Sequence, residues 1–349
     1  MKILSIETSC DETGMAILEF PQKKIIFEKL ASQIEIHKET GGIIPERASR
    51  IHAEILPYFL KDIQKILNLK NIDYFAVTQS PGLLGSLLCG NNASKILGQI
   101  YQKPVIPINH ILAHFYSAFL TESLKKLNYP ALGLVVSGGH TVVILATKKN
   151  DKIKFKIIGE TRDDAAGEAF DKIARLLGLG YPGGPKIQEA ASKTKISRFK
   201  FTPPMLKSQD FDFSYSGLKT DVLRTVKNLH PVKSPSGHYA LHKFDRVKSE
   251  LAFAAQKAIV ESLVEKSYQA VIKFKPKIFL LGGGVAANSY LRKKLKQKLS
   301  IIMPEDKIFF PLFKYSGDNA SMVALAAYLT LQDKPYPWYS VRATSENVI

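Results

Sequence analysis

Lys2-Ile3-Leu4-Ser5-Ile6-Glu7-Thr8-Ser9-Cys10-Asp11-Glu12-Thr13-Gly14-Met15-Ala16-Ile17-Leu18 alternates an apolar run, a polar segment and a second apolar run. Residues 2–6 read as a buried strand, 8–14 as a turn-forming connection and 15–18 as a second strand. The same order returns at 132–136, at Ser137-Gly138-Gly139 and at 141–145, about 130 residues later. A strand–turn–strand unit repeated at that distance points to an internal duplication. Each unit is followed by alternating helical and strand patterns, which favours two α/β lobes.

Outward from the first unit, periodicity predicts helices near 48–67, 85–101 and 111–121, with strands at 74–78 and 105–108 between them. After the second unit it predicts a helix over 164–177, a long helix near 246–273 and a strand at 277–281. The loop Gly282-Gly283-Gly284 and helices near 288–299 and 318–331 follow. The stretch 199–245, with Pro203, Pro204, Pro231 and Pro235, reads as an insertion with short elements of its own. These signals give a first α/β lobe at 1–127, a second at 128–330 and a Pro/Tyr/Trp-rich tail at 331–349 expected to pack back on the first lobe.

A chain of 349 residues suggests about two domains, and its 45% hydrophobic content supplies material for both cores. Lys and Arg outnumber Asp and Glu 49 to 31, a formal net charge of +18. That excess suggests an extended polyanion such as nucleic acid as partner, with a merely basic enzyme as the plain alternative. Two cysteines, Cys10 and Cys89, make no disulfide framework and fit a reducing compartment. No leader pattern precedes residue 2, and the apolar runs break within about 10 residues. The expectation is a cytoplasmic protein without a membrane segment.

Three glycine turns could present backbone amides to an anion. Ser137-Gly138-Gly139 sits between strands, Gly282-Gly283-Gly284 between a strand and a helix, and Tyr181-Pro182-Gly183-Gly184-Pro185 follows a helix. Singly each is a tight connection; together they suggest a nucleotide site. His110 and His114 stand at i and i+4 on one helical face and could share a metal, or could be two ordinary core or surface histidines. The pattern is not HExxH: Ile111, Leu112 and Ala113 lie between the histidines. Asp318 reads by itself as a helix N-cap. With the histidines it would complete a set suited to Fe(2+) or Zn(2+). Asp164, Glu168 and Asp171 share a helix face, with Asp163 and Asp164 as first-turn acids and Asp171 as a possible ribose ligand. In and around the insertion, Lys193, Lys195, Arg198, Lys200, Lys207, Lys219, Arg224 and Lys227 mix with Phe201, Phe211, Phe213 and Tyr215, as an RNA-contacting surface would. Arg292, Lys293, Lys294, Lys296 and Lys298 read as a solvated helix face.

Taken in order, eight motifs resemble one family. They are residues 6–13 (Ile-Glu-Thr-Ser-Cys-Asp-Glu-Thr), the pair His110 and His114, residues 136–141 (Val-Ser-Gly-Gly-His-Thr), and residues 163–172. They continue with Tyr181-Pro182-Gly183-Gly184-Pro185, residues 213–219 (Phe-Ser-Tyr-Ser-Gly-Leu-Lys), residues 282–288 (Gly-Gly-Gly-Val-Ala-Ala-Asn) and Gly317-Asp318-Asn319. The chain is similar to the bacterial-type tRNA N6-adenosine threonylcarbamoyltransferases (the TsaD family, once described as glycoproteases).

The resemblance implies an α/β, two-lobed actin-like ATPase fold (the sugar kinase, heat-shock-cognate and actin type) with duplicated RNase H-like lobes and a cleft. It implies transfer of threonylcarbamoyl from threonylcarbamoyl-AMP to N6 of the adenosine 3′ of the anticodon, in tRNAs reading codons that begin with A. His110, His114 and Asp318 would be the metal ligands. Val135, Val136, Ser137, Gly138, Gly139, Asp171, Gly184 and Asn288 would hold the adenylate. Where some members carry an aspartate shortly after the Tyr-Pro-Gly-Gly-Pro motif, this chain has Lys186, Ile187 and Gln188. Accessory proteins of the TsaB and TsaE type are implied as partners beside tRNA. An activated mixed anhydride needs no covalent nucleophile on the enzyme, so positioning and charge stabilisation suffice. Glu12 and His140 are the candidate proton acceptors. The rivals are a metal-dependent peptidase, a sugar- or acetate-type kinase, and a nucleotide-binding scaffold without turnover.

Overall fold

The computed structural model describes every residue except 39–40, 207, 230–231, 234–238, 241–244, 332–335 and 348–349. Lys207, Pro231 and Pro235 lie outside the described residues. The chain divides into two compact units, Met1–Ser123 with Asp318–Ile349, and Leu124–Gly317.

In the first unit β1 (Lys2–Glu7), β2 (Glu12–Glu19) and β3 (Lys24–Ser32) form an antiparallel meander. β4 (Tyr74–Ser80) and β5 (Val105–Asn109) continue the sheet in parallel, in the order β3-β2-β1-β4-β5. β1 is central, so both of its faces need cover and alternate residues point to different layers. Leu4 and Ile6 join the core made with Leu56, Phe59 and Ile63 of α2 (Pro45–Gln64) and Leu97 of α3 (Leu84–Tyr101), which follow the short α1 (Ile34–Lys38). Ser5 faces the other way, its hydroxyl donating to Ala320 O at 2.6 Å. α4 (His110–Tyr116) starts where β5 ends.

The helix Ala320–Thr330 packs on β1, β2 and α4 and so belongs to the first unit, not to a second lobe ending at 330. Residues Ala320 to Ala327 are all buried. A helix apolar all round carries no directional stripe, so periodicity could not tell which sheet it would cover. In the tail, Val105 N donates to Tyr336 O at 3.1 Å, and Trp338 lies against Gly98 of α3.

The second unit repeats the strand order. β6 (Ala131–Val136), β7 (Thr141–Lys149) and β8 (Lys152–Glu160) form the meander. Outside them lies a two-stranded pair, β9 (Val232–Lys233) and β10 (Tyr239–Ala240). β11 (Ile278–Gly282) and β12 (Ile308–Phe309) complete the sheet in parallel, in the order β12-β11-β6-β7-β8. Its helices are α5 (Ala166–Leu176), α6 (Gly183–Ser192), α7 (Ser216–Asn228), α8 (Asp245–Phe274) and α9 (Ser289–Leu299). The third strand of each meander, β3 and β8, was not among the strands expected from the sequence. Both are edge strands: β3 leaves Ile25 and Leu30 exposed among its polar residues, and β8 alternates exposed lysines with the partly buried Ile153, Phe155 and Ile157, so neither forms a continuous apolar run.

The segment 199–229 departs from the expected RNA-facing surface. Phe201, Phe211, Phe213 and Tyr215 are buried in the core of this unit. Asp163 is not a first-turn acid of α5. It accepts from Tyr215 N at 2.7 Å and Ser216 N at 3.4 Å, and so caps α7 across the fold. Asp164 and Glu168 pair with Lys172 at 2.7 Å each. Among the described residues no helix is long and apolar enough to cross a membrane.

Candidate metal centre and glycine-lined pocket

α4 begins with a side-chain cap: Asn109 Oδ1 accepts from Ile111 N at 2.8 Å and Leu112 N at 3.1 Å. One helical turn separates His110 from His114, both buried, with ring centroids 4.6 Å apart. Asp318 is not the cap of the last helix. Asn319 takes that role, its Oδ1 accepting from Met322 N at 2.9 Å. Asp318 Oδ1 instead lies 3.0 Å from His114 Nε2 and 3.6 Å from His110 Nε2. One ligand atom from each residue falls within 4.8 Å of the others. Two buried imidazole nitrogens converging on one carboxylate oxygen form a donor set that could hold a metal ion.

The electrostatics follow from burial. Burial opposes a charge on His110, but the Asp318 and Glu7 carboxylates outweigh it and raise its pKa to about 9. Burial dominates at His114 and lowers its pKa despite the bond to Asp318. Burial, then Asp318 and Asp11, push the Glu12 carboxyl well above the usual range. Sequence spacing gave no carboxylate beside the histidines; the fold brings Glu7 and Glu12 close to Asp318. His52 secures the turn between β1 and β2: its ring nitrogens lie 2.7 Å from Thr13 Oγ1 and 2.9 Å from Cys10 O.

In the second unit a cavity of about 380 Å³ is lined by Gly138, Asp171, Gly184 and Asn288 of the expected set. Pro182, Pro185 and Gly284, from two of the glycine turns, also line it, together with Gly167, Phe170, Gln188, Val285 and Ala287, which were not singled out individually because most offer only backbone or apolar surface. Next to Gly138, Gly184 and Gly284 there is open space where a side chain would begin, so a ligand could approach the backbone directly. Gly283, at φ +88, lets the loop pass so close to β6 that an added Cβ would lie 2.2 Å from Val136 O. Gly183 lies against α5, and its N–H donates to Asp171 Oδ1 at 2.6 Å. Asn288 Oδ1 caps α9 by accepting from Leu291 N, while Nδ2 donates to Gln256 Oε1, each at 2.9 Å.

Other expected contacts are placed differently. The Val135 and Val136 side chains are fully buried in β6, and Gly139 and His140 are not among the lining residues. Ser137 is engaged within its own turn: its N–H donates to His140 O at 2.7 Å and its Oγ accepts from His140 N at 3.1 Å.

Two α/β units with the same strand order, one carrying a buried two-histidine, one-carboxylate set and the other a glycine-lined cavity, place the chain in the class of proteins with the actin-like ATPase fold. The sequence profile of the family TsaD, tRNA N6-adenosine threonylcarbamoyltransferase, matches residues 24–325, and the chain belongs to that family. A tRNA N6-adenosine threonylcarbamoyltransferase of Thermosipho africanus is 43% identical over 330 residues, covering 94% of each chain. One of Syntrophomonas wolfei is 42% identical over 345 residues, covering 98% of this chain and 96% of its own. Among solved structures, T. kodakarensis HypF superposes with a TM-score of 0.59 at 13% identity, over 94% of this chain and 47% of that one. The Acidaminococcus fermentans (R)-2-hydroxyglutaryl-CoA dehydratase component A does so at 0.51 and 13%, over 94% and 97%. These two likenesses concern the fold. The chain is a transferase of tRNA modification.

Proposed function

We propose that this enzyme transfers threonylcarbamoyl from threonylcarbamoyl-AMP to N6 of the adenosine 3′ of the anticodon, in tRNAs reading codons that begin with A. The observation that carries the reading is the convergence of His110, His114 and Asp318 in a chain whose second unit holds a glycine-lined cavity. In the step, the N6 lone pair forms a bond to the carbamoyl carbon. The bond from that carbon to the phosphate oxygen breaks, AMP leaves with the electron pair, and one N6 proton is lost. The cavity binds the adenylate, with Gly138, Gly184 and Gly284 backbone near its phosphate and Asp171 near its hydroxyls. His110, His114 and Asp318 hold one divalent ion, Fe(2+) by the preference of a two-histidine, one-carboxylate set, with Zn(2+) as the alternative. When bound, the ion supplies Lewis-acid polarisation of an oxygen that gains negative charge. Glu12 and His140 are the two candidates to take the N6 proton. TsaB-type and TsaE-type proteins assist, and the reaction takes place in the cytoplasm.

The experiment is reconstituted transfer of labelled threonine onto tRNA from the adenylate with those partners. Wild type should transfer and His110→Ala should lose both bound metal and transfer. Nucleotide and tRNA binding without turnover would leave a scaffold. Chelator-sensitive proteolysis that vanishes in His114→Ala would establish the peptidase instead.

A further inference from the structure

Glu7 is the last residue of β1 and its side chain is fully buried. β1, β4 and β5 are neighbours in the sheet, and their ends bring together Glu7, Thr78 and His110. Glu7 Oε1 accepts from Ser9 N at 2.6 Å. Oε2 accepts from Thr78 Oγ1 at 2.5 Å and lies 3.2 Å from His110 Nδ1. Ser9 Oγ lies 3.1 Å from the same nitrogen. Contacts on both oxygens prevent the carboxylate from rotating. An ionised carboxylate only accepts, so the ring nitrogen facing it must carry the hydrogen. His110 therefore keeps its hydrogen on Nδ1 and turns Nε2 towards Asp318 Oδ1. His114 lacks this support: its Nδ1 is buried without a hydrogen-bond partner.

We propose that Glu7 is a positioning residue of the metal centre, which sets the tautomer and ring orientation of His110 so that Nε2 is presented to the ion. The proposal rests on the assignment of His110, His114 and Asp318 as ligands. A ligating histidine commonly donates its second N–H to a carboxylate, and loss of that partner typically costs 10–100-fold in metal affinity. Glutamine has the shape of glutamate but one acceptor oxygen, so it cannot accept from Ser9 N at one position and from Thr78 and His110 at the other.

The test is Co(2+) binding to metal-stripped full chain, read by competition with a chelating dye and by the visible Co(2+) spectrum. Glu7→Gln should bind about 10–100-fold more weakly with an altered spectrum. Thr78→Val, which removes one contact to the carboxylate but leaves its oxygens free to accept from Ser9 and His110, should weaken binding much less than Glu7→Gln. Wild-type affinity in Glu7→Gln, or equal weakening in Thr78→Val, would overturn the proposal. A wild type that binds no Co(2+) would overturn the ligand assignment itself. If Glu7→Gln does not fold, the Zn(2+)-loaded wild type with ¹⁵N-histidine decides. His110 should show a protonated Nδ1 and a ligated Nε2, and the reverse pattern would refute the role.

Discussion

Asp318 and Asn319 divide two tasks that sequence alone assigns to one residue. Asn319 caps the last helix, which leaves Asp318 to face the histidines. The same reach across the fold sets the charge of His110. In metal-free protein its folded pKa of about 9 lies above the unfolded value of about 6.5. A raised folded value means that His110 binds its proton more tightly in the native state. The resulting stabilisation is complete below about pH 6.5 and is lost as pH rises through about 9. The melting temperature of metal-stripped wild type should therefore fall across that window more steeply than that of His110→Gln. Equal slopes would show that the histidine does not carry the charge. The pair at i and i+4 was legible in the sequence because helical spacing is local. Glu7 was not, because 103 positions separate it from His110.

At the scale of elements, α5 and α6 meet through a glycine. An added Cβ at Gly183 would lie 2.4 Å from Asp171 Cα and 2.6 Å from Phe170 O, both backbone atoms with little room to move. Gly183→Ala should separate the two helices and cost about 1–3 kcal/mol, the usual range for overpacking. It should also stretch the hydrogen bond from Gly183 N to Asp171 and so weaken adenylate binding. Chemical denaturation and adenylate titration would measure both effects; unchanged values would mean that the close approach is easily relieved. The helices α2, α3, α8 and α9 were visible from periodicity within a few residues of their ends. α7 was hidden because its N-terminus is capped by Asp163, 52 residues upstream of Tyr215. The aromatics around it suggested a surface, yet they fill the core, since an aromatic side chain reads alike in either setting.

For the molecule as a whole, the charge of +18 remains after the ion pairs are counted within it. Binding of tRNA should release counterions, with log affinity falling against log salt by about 0.7–0.9 for each phosphate neutralised. Arg198 is already committed, paired with Glu250 at 3.1 Å, and Lys298 pairs with Glu265 at 3.1 Å. Charge reversal at Lys195 and Lys200 should flatten the salt slope more than reversal at Lys294 and Lys298. Equal effects would make the charge a property of the whole surface.

The sequence by itself determined what depends on neighbours along the chain: the two strand–turn–strand units, the long helices, the glycine turns, the histidine pair and the ordered motifs of the family. Only the tertiary structure decided which sheet the last helix covers. It also placed Asp318 and Glu7 beside the histidines, showed which glycines line the cavity, and put Phe201, Phe211, Phe213 and Tyr215 in the core. The physical reason is the range of the interactions. Helical and strand periodicity is set by backbone geometry within a few residues. Ligand convergence and burial depend on pairings between strands and helices far apart in sequence, which local spacing does not encode.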